Sequence, residues 1–448
     1  MLELIGFVVM IACLVVGVRH GGLGLAAISG IGLIFMVFVI GLVPGKPPVD
    51  VMLTIIAVVT CSGFLQASKG LDVMLKYAEK FLRRNPKQIT IFAPLTTWFL
   101  TVLCGTGHVV YTMFPIIYDI AIKQNIRPER PMAVSSVAAQ AGICASPASV
   151  AVVSLMAMLA STDLPVNVVQ ILMISIPSTF CGVLVAGIWS VRRGKDLAKD
   201  KIFQEKIKDP KEYAIVYGTT SEDNSNVKLP KTAYYCTFVF LLGIVIIALF
   251  GSFPKELLPY VPNSKGVWAP LSMTPTIQMC MLVMAAIIMF ISKATVRDVT
   301  NGAVFKSGMV AVVSVYGVAW MAETYFGAYL PGFKEFLSNL IKDYPWTYAV
   351  ALFFISKLVN SQAAALAIAV PMAISINVDP MIILSFISAA YAYFFLPTYP
   401  SDLACLTFDR SGTTHIGKYL LNHSFMIPGL IIVFVGCIVG YTLAHILF

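Results

Sequence analysis

Residues 22–43, 166–189, 237–250, 277–291 and 425–447 contain no Asp, Glu, Lys or Arg. A helix needs about 20 apolar residues to cross a hydrocarbon core about 30 Å thick. Lipid offers the backbone no hydrogen-bond partners, so only helices or closed barrels can span it. Apolar runs of this length therefore commit the chain to a bundle of transmembrane helices, with 237–250 recruiting flanking residues to reach across. Composition agrees: 58% of the 448 residues are apolar and 12% charged, where a soluble domain carries about 25% charged.

The first apolar run, residues 4–18, does not read as a cleavable leader. Glu3 replaces a basic start, and Arg19 and His20 stand where small residues would mark a cleavage site. It reads as a retained span. The net charge of +9 is spread over loops and forms no single patch, so it reports topology in a lipid bilayer and no nucleic-acid partner is expected. The nine cysteines are scattered through apolar segments with no pair at metal-ligand spacing. Neither a disulfide framework, a metal nor a cofactor is expected.

Orientation follows from the basic residues. The long polar stretch at 192–232 carries ten Lys or Arg near the midpoint of the chain, which places it in the cytoplasm. Alternating outward from there puts 25 of the 31 Lys and Arg inside, five outside and one, Lys357, within the membrane. The expectation is an all-α polytopic membrane protein of about ten spans plus two re-entrant hairpins, with both termini periplasmic. Residues 1–191 form a first repeat and 233–448 a second of inverted topology, joined by the 192–232 loop.

The two halves share their punctuation. Cys104-Gly-Thr-Gly-His108 interrupts an apolar segment that resumes to Pro115, and Asn360-Ser-Gln-Ala363 interrupts another that resumes to Pro371, eleven residues on in each case. These mark hairpins around 98–122 and 346–376. Each half then breaks again, at Ala145-Ser-Pro-Ala-Ser149 and at Leu396-Pro-Thr-Tyr-Pro-Ser-Asp402, giving broken helices around 146 and 397–402. A single break is ordinary in a membrane helix. Two pairs in matching order are the mark of an inverted-repeat transporter, because unwound backbone at membrane depth survives only beside protein or an aqueous cavity.

Broken helices carry chemistry. The N-terminus of a resumed helix offers unpaired N–H groups and about half a positive charge, which suits a carboxylate. Freed carbonyls at the opposite ends suit a cation. Two tips meeting near the midplane can hold both ends of a short dianion. The candidate substrate-binding residues are Gly105, Thr106, Gly107, His108, Ser146, Ser149, Lys357, Asn360, Ser361, Gln362, Thr398, Pro400 and Ser401, with Asp402 as the candidate for a coupling proton or sodium ion. Lys357 reads either as a snorkelling or ion-paired structural residue or as a counter-charge to a substrate carboxylate or to Asp402. His108 reads as a donor to an anion or as a histidine that merely hydrogen-bonds. Asp119, Glu323 and the group Asp409, Arg410 and His415 fall at span ends, where charge is commonplace. Residues 76–87 read as an amphipathic helix at the inner surface.

The same breaks carry a resemblance that covers nearly the whole chain. Pro44-Gly-Lys-Pro-Pro-Val-Asp-Val-Met52, Arg83-Arg-Asn-Pro-Lys87, Cys104-Gly-Thr-Gly-His-Val-Val-Tyr-Thr112 and Asn125-Ile-Arg-Pro-Glu-Arg-Pro-Met132 resemble the anaerobic C4-dicarboxylate transporter (Dcu) family, its B-type branch more than its A-type. So do Val315-Tyr-Gly-Val-Ala-Trp-Met-Ala-Glu323, Val359-Asn-Ser-Gln-Ala-Ala-Ala365, Leu396-Pro-Thr-Tyr-Pro-Ser-Asp-Leu403 and Phe408-Asp-Arg-Ser-Gly-Thr-Thr-His-Ile416. The resemblance implies exchange of external fumarate, malate or aspartate for internal succinate across the bacterial inner membrane during anaerobic fumarate respiration. The order of breaks is similar to that of the ion-transporter superfamily, which implies an elevator: a transport domain of hairpins and broken helices sliding on a scaffold, often in a homodimer. Some B-type members also bias a membrane sensor kinase, so a co-sensor is the rival reading, and a dicarboxylate channel a third. No nucleophile or cofactor constellation suggests an enzyme.

Overall fold

The computed structural model describes residues 2–47, 49–159, 166–218, 228–252, 259–262, 268–271, 273–359, 361–397, 399–417 and 422–447. The chain opens with α1 (Leu2–Arg19), α2 (Gly21–Ile34), α3 (Val49–Ala67), α4 (Gly70–Arg84), α5 (Ile89–Cys104), α6 (Val109–Lys123), α7 (Glu129–Cys144), α8 (Val150–Leu159) and α9 (Val168–Val191). Two short helices follow, α10 (Lys201–Lys206) and α11 (Pro210–Tyr217). The rest holds α12 (Lys231–Ser252), α13 (Met273–Ser292), α14 (Val296–Asn301), α15 (Ala303–Asp343), α16 (Trp346–Val359), α17 (Gln362–Ser375), α18 (Pro380–Ser385), a 3-10 stretch (Ile387–Phe395), α19 (Pro400–Phe408) and α20 (Met426–Leu447). A small antiparallel pair, Tyr260–Pro262 with Trp268–Pro270, lies between α12 and α13.

Among the described residues, five helical runs are long and apolar enough to cross a membrane, or six if the bent pair α3–α4 counts as one broken span. Shorter apolar helices accompany them, α8 and α17 among these. α3 and α4 meet at 68°, with Lys69 at the corner in the left-handed region (φ 63°). Leu71, Met74, Ala78 and Leu82 bury one stripe of α4, while Tyr77 and Phe81 face outward, as the three- and four-residue spacing dictates. The amphipathic stretch expected at 76–87 is thus part of a helix that starts earlier, at Gly70, and ends at Arg84. Arg83 at its end reaches Asp119 of α6 at 3.0 Å, and Lys123 meets the same carboxylate at 2.9 Å.

The helices sort into two groups. α1, α2, α3, α12, α13 and α15 pack on one another, and α5 to α9 with α16 to α20 form the second group. α7 is the axis of the second group, buried along its length except at Ile143. α9 and α20, the last helix of each half, cross closely at Gly182, where a Cβ would stand 2.5 Å from the Ile432 carbonyl oxygen. Between the groups, α17 packs against α15 and α8 against α3.

The segment after α9 is folded over much of its length, which its polar composition does not reveal. Arg127 pairs with Asp200 at 2.5 Å, Arg130 with Asp196 at 2.7 Å and Arg193 with Glu129 at 2.9 Å. The Tyr118 hydroxyl donates to the Val216 carbonyl, and the Lys206 amine to the carbonyls of Arg410 and Ser411. Burial raises the Asp200 carboxyl, but the Phe203 N–H and the Arg127 guanidinium outweigh it and hold the group below the usual carboxylate range. Residues 219–227 of this loop lie outside the described residues. Asp409 organises the loop after α19, accepting from Thr413 Oγ1 at 2.9 Å and the Thr414 N–H at 2.6 Å, a structural role in keeping with its place at a helix end.

Candidate functional site

Each half supplies one helical hairpin with its tip inside the protein. In the first, α5 ends at Cys104 and α6 starts at Val109 and packs back on it. Gly105 turns the chain at φ +72°, and a Cβ there would lie 2.4 Å from the Ala148 carbonyl oxygen. Only glycine combines that φ with that approach, so the tip is pressed against the break between α7 and α8. Thr106 Oγ1 accepts from the His108 N–H at 3.3 Å. In the second hairpin, α16 ends at Val359 and α17 starts at Gln362. Ser361 caps α17 by accepting from the Ala364 N–H, and Gln362 donates from Nε2 to the Gln140 carbonyl at 2.5 Å. Asn360 lies outside the described residues.

The broken helices differ from one another. At the first, Ser146 and Ser149 are fully buried, and their hydroxyls accept from the Ala148 and Val152 N–H groups at 3.2 and 3.1 Å. They hold the break in shape and cap α8. At the second, Tyr399 and Pro400 open α19, and Ser401 and Asp402 are buried in its first turn. Asp402 Oδ1 accepts from Ser136 Oγ at 2.7 Å and from Gln140 Nε2 at 3.2 Å, while its Oδ2 has no hydrogen-bond partner among the described residues. Ser401 Oγ meets the same two side chains at 3.0 and 3.2 Å. Thr398 lies outside the described residues. The Lys357 amine donates to the carbonyls of Tyr393 at 3.1 Å and Leu396 at 2.8 Å.

Between the two helix groups lies a cleft of about 560 Å³. Gly105, Thr106, Gly107 and His108 line it from one tip, and Ser361 and Gln362 from the other. Ala148, Val150, Tyr399 and Pro400 border it from the broken helices, and Val58, Ser62, Gly308 and Ser314 close it from α3 and α15. The first residues of α6, α8, α17 and α19 or their caps thus all reach one space. No Asp or Glu stands among its described lining residues. Four helix N-termini and an absence of lining carboxylates give a wall matched to an anion with more than one acceptor group. Ser146, Ser149, Ser401, Asp402 and Lys357 sit behind that wall and shape it.

Several of these residues carry no mark in sequence-level reasoning. Ser136 and Gln140 are four residues apart, one helical turn, in a segment whose only other polar residue from Pro131 to Ile143 is Ser135, and that spacing is the signal that would have found them. Tyr393 and Tyr399 face each other across the second break with ring centroids 4.7 Å apart, and nothing in their spacing foretells it.

A family model described as anaerobic C4-dicarboxylate membrane transporter matches residues 2–448. The chain belongs to that family. Among this family's curated members, an anaerobic C4-dicarboxylate transporter DcuB from Escherichia coli is 53% identical over 447 residues, covering 99% of both chains. A C4-dicarboxylate transporter DcuA from Wolinella succinogenes is 35% identical over 439 residues, covering 98% of each. The B-type resemblance of the motifs accords with the higher of these identities. The fold is similar to that of the Alcanivorax borkumensis YdaH transporter, with TM-score 0.54 at 13% identity over 93% of this chain and 88% of that one. Family membership and the apolar helices together make this a multi-pass membrane protein.

Proposed function

We propose that the chain is a secondary transporter that binds a C4-dicarboxylate in the cleft between its two helix groups and exchanges external fumarate, malate or aspartate for internal succinate across the bacterial inner membrane. The observation that carries the reading is the meeting of four helix N-termini, from two hairpins and two broken helices, around one space with no acidic side chain among its described lining residues. A hydrogen bond to a charged group is worth about 1.5–3 kcal/mol, so N–H groups from opposite tips engaging both carboxylates favour a dianion over a monoanion of similar size. The names of the relatives support the same substrate class.

In this reading the second helix group is the moving unit and α1, α2, α3, α12, α13 and α15 the scaffold, in a protein of ten spans with both termini periplasmic that works as a homodimer. With residues 192–232 in the cytoplasm, the cleft lies near the cytoplasmic ends of α3 and α15. The contacts of α8 with α3 and of α17 with α15 close the opposite side. That arrangement is the inward-facing half of an elevator cycle. Asp402, buried beside the second tip, is where net uptake would take on a proton or a sodium ion.

Counterflow in proteoliposomes tests the proposal. External fumarate is expected to accelerate efflux of labelled succinate, and monocarboxylates of matching length to leave it unchanged. Efflux indifferent to external dicarboxylate would point instead to a channel, and a protein that transports nothing yet biases a sensor kinase would be a co-sensor.

A further inference from the structure

The second broken helix is repaired by two neighbouring side chains of the second hairpin. Between Ile387 and Phe395 the backbone leaves helical geometry at Tyr391 and Ala392, and Leu396 is extended, so carbonyls here point away from any regular ladder. Ser356, fully buried, accepts from the Ala392 N–H at 3.0 Å, and its hydroxyl proton is shared between the Phe353 carbonyl of its own helix at 2.9 Å and the Ala389 carbonyl at 3.2 Å. Lys357, 9% exposed, donates to the carbonyls of Tyr393 and Leu396. The ammonium therefore sits at the C-terminal end of the helix half that precedes α19, where partial negative charge collects. Such carbonyl clusters in broken membrane helices are places for monovalent cations.

The first half handles the matching position without a charge. Aligning the breaks at Cys104 and Asn360 sets Thr101 opposite Lys357. Thr101 turns its hydroxyl back to the Thr97 carbonyl at 2.9 Å. The carbonyls that end α7, at Gly142 and Ile143, are met by the backbone N–H groups of Ala145 and Ser146. Two breaks of one pattern thus satisfy their carbonyls differently, one with backbone and one with an ammonium.

We infer that Lys357 is a tethered cation: its ammonium occupies, on the carbonyls of Tyr393 and Leu396, the place of a dissociable monovalent ion, so the second half of the site needs none from solution. This deepens the transporter reading and rests on it for its consequence, since a cation that cannot leave crosses with the moving unit in every cycle and couples to no gradient. The assignment itself rests on the contacts alone.

The test compares three forms of the full-length purified protein. Lys357→Ala removes the ammonium and leaves room for an ion, whereas Lys357→Met removes the charge and fills the room. In choline chloride both variants are expected to melt below wild type. In sodium chloride Lys357→Ala is expected to recover at least half of its loss, saturably with sodium, and Lys357→Met to recover none. In proteoliposomes Lys357→Ala should exchange succinate faster in sodium than in choline, by a larger ratio than wild type. The inference is overturned if Lys357→Ala responds to sodium no more than wild type, if Lys357→Met responds as strongly, or if Lys357→Ala cannot be isolated even in sodium. A wild type that fails to exchange succinate would instead refute the transporter reading, and the melting comparison would still decide the role of Lys357.

Discussion

The first broken helix, Ser146 to Ser149, contains no ionisable side chain and closes its hydrogen bonds within itself. The second, Leu396 to Asp402, draws on Lys357 from the hairpin and on Ser136 and Gln140 from the other half, and it buries a carboxylate. Both halves break a helix beside a hairpin, but charge stands at only the second break. The cleft fixes where helices must stop, because the breaks border it. Each break is then satisfied by whatever groups lie beside it, so two similar interruptions host two unlike chemistries.

Four measurements break or sharpen that contrast. The largest effect is expected at the uncharged side. Gly105→Val combines a left-handed φ, costing a branched residue about 1–2 kcal/mol or more, with a Cβ on the Ala148 carbonyl. Counterflow should fall about tenfold or further, since 1.4 kcal/mol is a factor of ten. Ser361→Ala at the opposite tip loses the cap of α17, about 1 kcal/mol, and should lower counterflow less than Gly105→Val does; equal losses would undo the idea that the tips are held differently. Next comes Asp402→Asn, which keeps an acceptor for Ser136 and Gln140 but cannot titrate. If the coupling ion is a proton, net uptake is expected to rise as pH falls in wild type and to be flat with pH in the variant, while exchange persists; a retained slope in the variant would move the coupling group elsewhere.

Gln140→Leu should follow in size. It strands the buried Ser401 and Asp402 of α19, a cost of about 1–3 kcal/mol, seen as a lower melting temperature and weaker exchange together. The smallest effect belongs to Ser149→Ala, which removes the cap of α8 for about 1 kcal/mol. It should lower the melting temperature slightly with exchange intact. An exchange defect there would mean that the first break touches substrate through its hydroxyl.

The sequence shows where the chain breaks better than it shows what the breaks hold. Gly105, Pro400 and the Ser-Pro run at 146–147 announce interrupted helices because their backbone preferences are local. Asp402 and Lys357 stand out because ionisable groups are costly in lipid. Their partners are not legible, since Gln140 and Asp402 lie 262 residues apart and Lys357 meets backbone carbonyls, which every residue possesses. The folding of 197–217 against both halves was hidden for a related reason: Arg127, Arg130 and Arg193 read as topological charge until their acidic partners are placed beside them.

The long reach of α7 also constrains how the protein can be made. Ser136 and Gln140 enter the membrane with the first half, yet Ser401 and Asp402 are translated about 265 residues later. At roughly 5–20 residues per second, that delay is on the order of 15–50 s. For that interval the nascent first half holds polar groups in a bilayer without their eventual partners. Its insertion must therefore be provisional, and a chain cut within 219–227 should need both pieces synthesised together before either survives quality control.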